Sequence, residues 1–210
     1  MISMSDGRPA PAHPDAVVTG DTYRFTVLSP RLIRMEWNER GEFVDQRTQL
    51  VLSREFPVPD FSVTLLPGGG LEILTEFLRL RYDGREFSEA GLTVALLKGA
   101  TDVHYSAWRY GFEYPQRLPL RGNLMGTART LDYIDGATDL EPGILSTFGF
   151  AVVDDSRTAL LSQDGWIASR PATRRPSKDL YLFGHGRDFA AAMRDFHRLA
   201  GPTPVVPRYV

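Results

Sequence analysis

Phe61-Ser-Val-Thr-Leu-Leu66, then Pro67 and Gly68–Gly70, then Leu71-Glu-Ile-Leu-Thr75 and Phe77-Leu-Arg-Leu-Arg-Tyr82, is the stretch that decides the fold class. Apolar and polar side chains alternate through it, the period of a half-buried strand with one face in a core. Proline and three glycines between the first two runs predict a hairpin with a longer, flexible loop. Asp83-Gly84 turns the chain again after the third run. The same rhythm extends on both sides. Upstream are Thr22-Tyr-Arg-Phe-Thr-Val-Leu28, a Ser29-Pro30 turn, Leu32-Ile-Arg-Met-Glu-Trp37 and a run around Leu50-Val-Leu52; downstream is Leu92-Thr-Val-Ala-Leu-Leu97. Six or seven short strands in about a hundred residues predict an all-β protein, an antiparallel sandwich or barrel.

The stretch from Gly99 to Pro142 breaks this rhythm. It is rich in Gly, Pro, Tyr, Arg and Asp, and a connection of that length inside a compact domain is usually functional or disordered. Strands resume at Phe148–Val153, Thr158–Leu161 and Leu180–Phe183. The chain then changes character. Arg187–Ala200 puts Phe189, Met193, Phe196 and Leu199 on one helical face, with Asp188 at its start and Gly201-Pro202 as its stop. The predicted organisation is a loosely attached leader over 1–15, a β-sandwich over 16–186, and a connector helix with the start of a link over 187–210. The apolar, extended Pro204–Val210 has nothing to pair with and suggests that more chain follows.

Composition excludes several classes. Net charge is −2, so no global field draws the chain to nucleic acid or an acidic membrane. There is no cysteine, hence no disulfide and no thiolate metal site, and the four histidines have no zinc-like spacing. No metal or cofactor is expected. No apolar run approaches the ~20 residues that span a bilayer, and Met1–Pro14 lacks the apolar core of a signal peptide. A cytoplasmic protein is the expectation. Gly184-His-Gly186 lacks the spacing of a phosphate loop and reads as a turn leading into the helix, with His185 and His197 in ordinary roles.

Several short motifs, in order, carry a resemblance. They include Leu32–Glu36, Thr75–Tyr82, Asn123-Leu-Met-Gly-Thr-Ala-Arg-Thr-Leu-Asp132, Asp135-Gly136, Leu140–Leu145, Ala151–Ser156, Asp164-Gly-Trp166, Asp179–Gly184 and the helix with Gly201-Pro-Thr-Pro204 behind it. Together they resemble the amino-terminal domain of glycoside hydrolase family 31, from about Val17 to Val210. The resemblance implies a galactose-mutarotase-like sandwich followed by a (β/α)8 barrel that hydrolyses α-glucosides or α-xylosides with retention. Retention needs two carboxyl groups only ~5–5.5 Å apart, and in this family both come from the barrel. The nucleophile's Trp-x-x-Asp-Met-Asn-Glu-like stretch is absent here, so no catalytic residue is expected in these residues. The implied partners are an α-linked oligosaccharide or glycoside and the barrel of the same polypeptide. The face meant for the barrel would otherwise be an exposed apolar patch or close a homo-oligomer.

The substrate-binding candidates follow from the same resemblance. Asp132, Asp135, Asp139 and Glu141 crowd one irregular stretch. Asp135 best matches the relatives' sugar-contacting aspartate, with Thr138 second; turn chemistry in an exposed loop is the alternative. Trp37, Tyr105, Trp108, Tyr110 and Tyr114 read as core or interface aromatics or as sugar-stacking platforms, with the Trp108–Tyr114 region the better stacking candidate. Trp166, after the Asp164-Gly165 turn, is expected to pack. Two further functions stay open: a free-standing carbohydrate-binding module, and an aldose 1-epimerase, which needs an acid and a base on one sugar ring, with His104 the one candidate histidine.

Overall fold

All six residues of Leu32–Trp37 (β3) are buried, so this strand has protein on both of its faces. The computed structural model describes residues 10–99, 106–114, 122–126, 135–136 and 138–202. In it β3 is the middle of a five-stranded antiparallel sheet. Val17–Thr19 (β1), Tyr23–Ser29 (β2) and β3 are joined by Lys178–Phe183 (β12) and Ala151–Asp154 (β9), in the order β1-β2-β3-β12-β9. A second five-stranded sheet runs in sequence order through Phe61–Leu65 (β4), Leu71–Thr75 (β5), Leu78–Tyr82 (β6), Leu92–Leu96 (β7) and Ala107–Arg109 (β8). Leu160–Leu161 (β10) and Ile167–Ala168 (β11) form a separate small hairpin. The protein is an all-β sandwich with one α-helix, Phe189–Ala200 (α1).

Alternation builds the core. Phe25, Val27, Ile33, Met35, Leu180 and Leu182 of the first sheet meet Leu71, Ile73, Leu80, Tyr82, Val94 and Trp108 of the second in one apolar cluster. Edge-to-face contacts link Phe25, Tyr82 and Phe87 with ring centroids 5.2 and 5.6 Å apart, a geometry that adds to plain burial. The opposite face of the first sheet carries Leu32, Tyr181 and Phe183, which pack with Leu28, Val51, Phe56 and Leu199 of the helix.

Three outcomes depart from the sequence reading, and for Trp108 the structure decides between the two alternatives that reading left open. Residues 50–52 form no strand: Leu52 and Ser53 donate their backbone N–H groups to the carbonyl of Leu199, so this segment caps the helix C-terminus. The end of the polar leader lies against the first sheet, where Ala10 is buried and donates to Asp45 O at 3.0 Å. Trp108 lies in β8 and is only 8% exposed, which removes it as a stacking platform. Trp166 does not pack; it is 69% exposed. The helix follows its sequence signals closely, with Asp188 Oδ1 accepting from Ala191 N at 3.0 Å as the N-cap and Gly201 closing the end.

Candidate functional site

One asparagine ties two described segments of the middle of the chain together. Asn123 Oδ1 accepts from Met125 N (2.8 Å) and Gly143 N (2.9 Å), while its Nδ2 donates to Gly143 O (2.8 Å). Around it, Leu124 N donates to Leu145 O and Thr147 N to Gly122 O, and Asn123 bridges Ser146. Residues 122–126 and 141–147 thus form a two-stranded stem. Gly143 is required here, because a Cβ would stand 2.9 Å from Met125 O.

Between the two arms of the stem, Asp135 and Thr138 are exposed, as are Asp139, Leu140 and Glu141. Asp132 lies outside the described residues. The two substrate-binding candidates are thus both open to solvent, three positions apart in sequence. Carboxylate and hydroxyl oxygens placed so can accept hydrogen bonds from sugar hydroxyls.

A second polar cluster was not legible in the sequence. On the outer face of the first sheet, fully buried Arg34 makes a two-pronged contact with Asp179, Nε to Oδ1 and Nη2 to Oδ2, both 2.8 Å. Arg34 Nη2 also lies 3.0 Å from Glu36. Arg24 clamps the other side of Glu36 (2.6 and 3.0 Å) and reaches Asp45 (2.7 Å). Arg170 bridges Asp155 and Asp179 at 3.2 and 3.6 Å. A cleft of about 350 Å³ opens beside it, lined by Glu36, Trp37, Glu42, Asp45, Arg170 and Asp179.

Electrostatics give this cluster a structural character. Burial pushes the Glu36 carboxyl above the ordinary range, against the pull of Arg34. Burial also acts on Asp179, but the Arg34 guanidinium outweighs it and holds that carboxyl below its ordinary value. Asp155 is pushed up to about 6 by burial and by the nearby Asp179 charge. Each of these carboxylates faces an arginine, and an acid or nucleophile committed to an arginine is poorly placed for glycosidic chemistry.

His185 has a larger role than its sequence context indicated. Its Nε2 lies 2.9 Å from Asp195 Oδ2, and Ser29 Oγ donates to the same oxygen at 2.8 Å. Aspartate is central, and both bonds end on it. There is no serine–histidine contact of the kind a relay nucleophile requires. The group ties α1 to β2. Burial opposes the charge on Asp195, but the His185 and Ser29 hydrogen bonds prevail and lower its pKa. His104 and Tyr105 lie outside the described residues. Among the described residues no group of three or more His, Asp or Glu side chains is arranged to hold a metal ion, and no helix is long and apolar enough to cross a membrane.

Fold and site define an antiparallel β-sandwich whose own interior is packed with side chains and whose Asp135 and Thr138 are exposed to solvent. No protein-family model and no curated protein matches the chain. Among solved structures it is similar to the GH31 dextranase FjDex31A of Flavobacterium johnsoniae complexed with glucose, at 12% identity and a TM-score of 0.48, over 97% of this chain and 29% of that one. A mutant of the same enzyme complexed with isomaltotriose gives 13% identity with the same score and coverage. The chain thus spans less than a third of the length of these structures. The all-β assignment rests on the strand registers themselves.

Proposed function

We propose that this chain is the amino-terminal sandwich of a glycoside hydrolase family 31 enzyme, a non-catalytic domain that supports a catalytic barrel and lends one loop to its sugar site. The observation that supports the reading is the exposure of Asp135 and Thr138, which lie in sequence between the two arms tied by Asn123 and outside a filled core. The ordered motifs from Leu32 to Pro204 support the same reading. The parent activity would be retaining hydrolysis of an α-glucoside or α-xyloside, with both reactive carboxyl groups on polypeptide outside these residues. In that arrangement Asp135 accepts hydrogen bonds from substrate hydroxyls, and Thr138 adds a weaker contact.

The epimerase alternative draws less support. Its acid and base must converge on an open sugar-sized face, whereas the inner faces of both sheets are occupied by apolar side chains.

The test uses the 210-residue chain and the natural full-length protein in parallel. The chain alone is expected to release no product from an aryl α-glucoside or α-xyloside. In the full-length enzyme, Asp135→Ala should raise KM about ten-fold with a smaller effect on kcat, the size expected for losing a hydrogen bond between substrate and a charged group. Turnover by the chain alone would refute the assignment of the chemistry to other polypeptide. An unchanged KM in the variant would remove Asp135 from the sugar site.

A further inference from the structure

Three tryptophans are present, and two of them, Trp37 and Trp108, are 4% and 8% exposed. Trp166 is the exception. An indole forgoes a large burial energy by staying in water, and here it does so at a defined turn. The element here is well built. Leu160 pairs with Ala168 and Leu161 with Ile167, and Ser162 N donates to Trp166 O at 2.7 Å. Ser162 Oγ has both Trp166 O (2.9 Å) and Asp164 Oδ1 within reach of its one proton, and Gly165 N closes the turn on Ser162 O. The hairpin is moored to the body of the protein through Leu161 N to Arg47 O, Gln49 N to Ala159 O and the Thr48–Leu160 bridge. The turn therefore presents an exposed indole two residues from an exposed carboxylate.

We propose that the hairpin tip Ser162–Trp166 is a surface carbohydrate-binding site, with the Trp166 indole as a platform for one face of a pyranose ring and Asp164 accepting hydrogen bonds from its hydroxyls. The axial C–H groups of a pyranose carry slight positive charge and suit the negative face of an aromatic ring. The adjacent hydroxyls suit a carboxylate acceptor. Hydrophilic Gln163 and Asp164 precede the indole in sequence, and Ile167, at 64% exposed, is the other exposed large apolar side chain of the hairpin. A protein-docking patch would be broader and less polar. The hydrogen bond from Ser162 lowers the pKa of Asp164. The site is separate from the loop bearing Asp135 and Thr138. It rests on the carbohydrate role proposed above and adds to it a means of holding a longer glucan on the enzyme's surface.

Because Trp37 and Trp108 are buried, solvent-quenchable fluorescence reports on Trp166. The 210-residue chain is titrated with α-1,4- and α-1,6-linked gluco-oligosaccharides while tryptophan emission and acrylamide quenching are followed. Expected is a millimolar response in which sugar protects the accessible indole. Trp166→Ala should abolish the signal and, by calorimetry, weaken binding about ten-fold or more. Trp166→Phe should retain part of the affinity, and Asp164→Asn should weaken it several-fold. Both positions are exposed, so the variants are expected to keep the parent's melting temperature, which checks that they fold. Absence of any response at tens of millimolar sugar, or calorimetric binding that Trp166→Ala leaves unchanged, overturns the proposal. Neither result bears on the Asp135 reading, which is decided by KM in the full-length enzyme.

Discussion

Asp155 concentrates the electrostatic strain of the fold in one side chain. It is fully buried, accepts from Thr48 Oγ1 at 3.1 Å through both carboxylate oxygens, pairs with Arg170, and still lies near Asp179. Its pKa rises from 3.8 to about 6. The folded state therefore holds this proton more tightly than the unfolded chain. The resulting stabilisation is fully present below about pH 4 and is lost as pH rises through 6, up to about 3 kcal/mol in all. Asp179 and Asp195 act in the opposite sense: their lowered pKa values stabilise the fold above about pH 4 and that contribution is lost on acidification. Replacing Asp155 by Asn should flatten the loss of stability between pH 4 and 6 and leave the acid limb intact. Denaturant unfolding across that range measures it, and an unchanged pH slope in the variant would contradict the assignment. None of this was readable from sequence. Asp154-Asp-Ser156 carries ordinary turn chemistry, and only the pairing of β9 with β12 brings Asp155 N onto Asp179 O.

At the scale of elements, local signals and tertiary demands separate cleanly. The strands with clear alternation, β3, β5, β6 and β7, lie where the period placed them, because each has one face committed to the same apolar layer. The short β1, β8 and β11 are three residues or fewer, too brief for a period to register. The stem under the candidate loop is a similar case. Its two arms are joined by side-chain bonds of Asn123 across a gap of 20 residues, which no local pattern encodes. Asn123→Ala should speed hydrogen exchange at the Met125 and Gly143 amides by about ten-fold, as their acceptor is lost, while amides within β3 keep their protection. Equal acceleration in both places would mean that the stem is not an independent unit. Gly186 marks another long-range demand: at φ 61°, its Cβ position would fall 2.6 Å from Gly99 O, so the turn before α1 closes only around glycine.

For the whole molecule, the informative surface is apolar and uneven. Leu65 is 80% exposed and Val63 41%, both on β4, the edge strand of the second sheet, which has no charged residue between Phe61 and Leu65. An edge of that kind invites pairing with another chain. Leu65→Lys should leave unfolding free energy within about 0.5 kcal/mol of the parent and reduce self-association at high concentration, as sedimentation velocity would record. A large loss of stability would mean that Leu65 is covered in solution. The sequence by itself determined the all-β class and the helix with its two caps. Both follow from the period of apolar side chains and from backbone-limited residues such as Gly, Pro and capping Asp, which act over a few neighbours. Tertiary structure alone decided which arginine meets which carboxylate, that Trp108 is core while Trp166 stands in water, and that Asn123 ties residues 122–126 to 141–147. Those outcomes depend on contacts between residues tens to more than a hundred positions apart, where burial and charge pairing are set by the packed sheets and not by any local pattern.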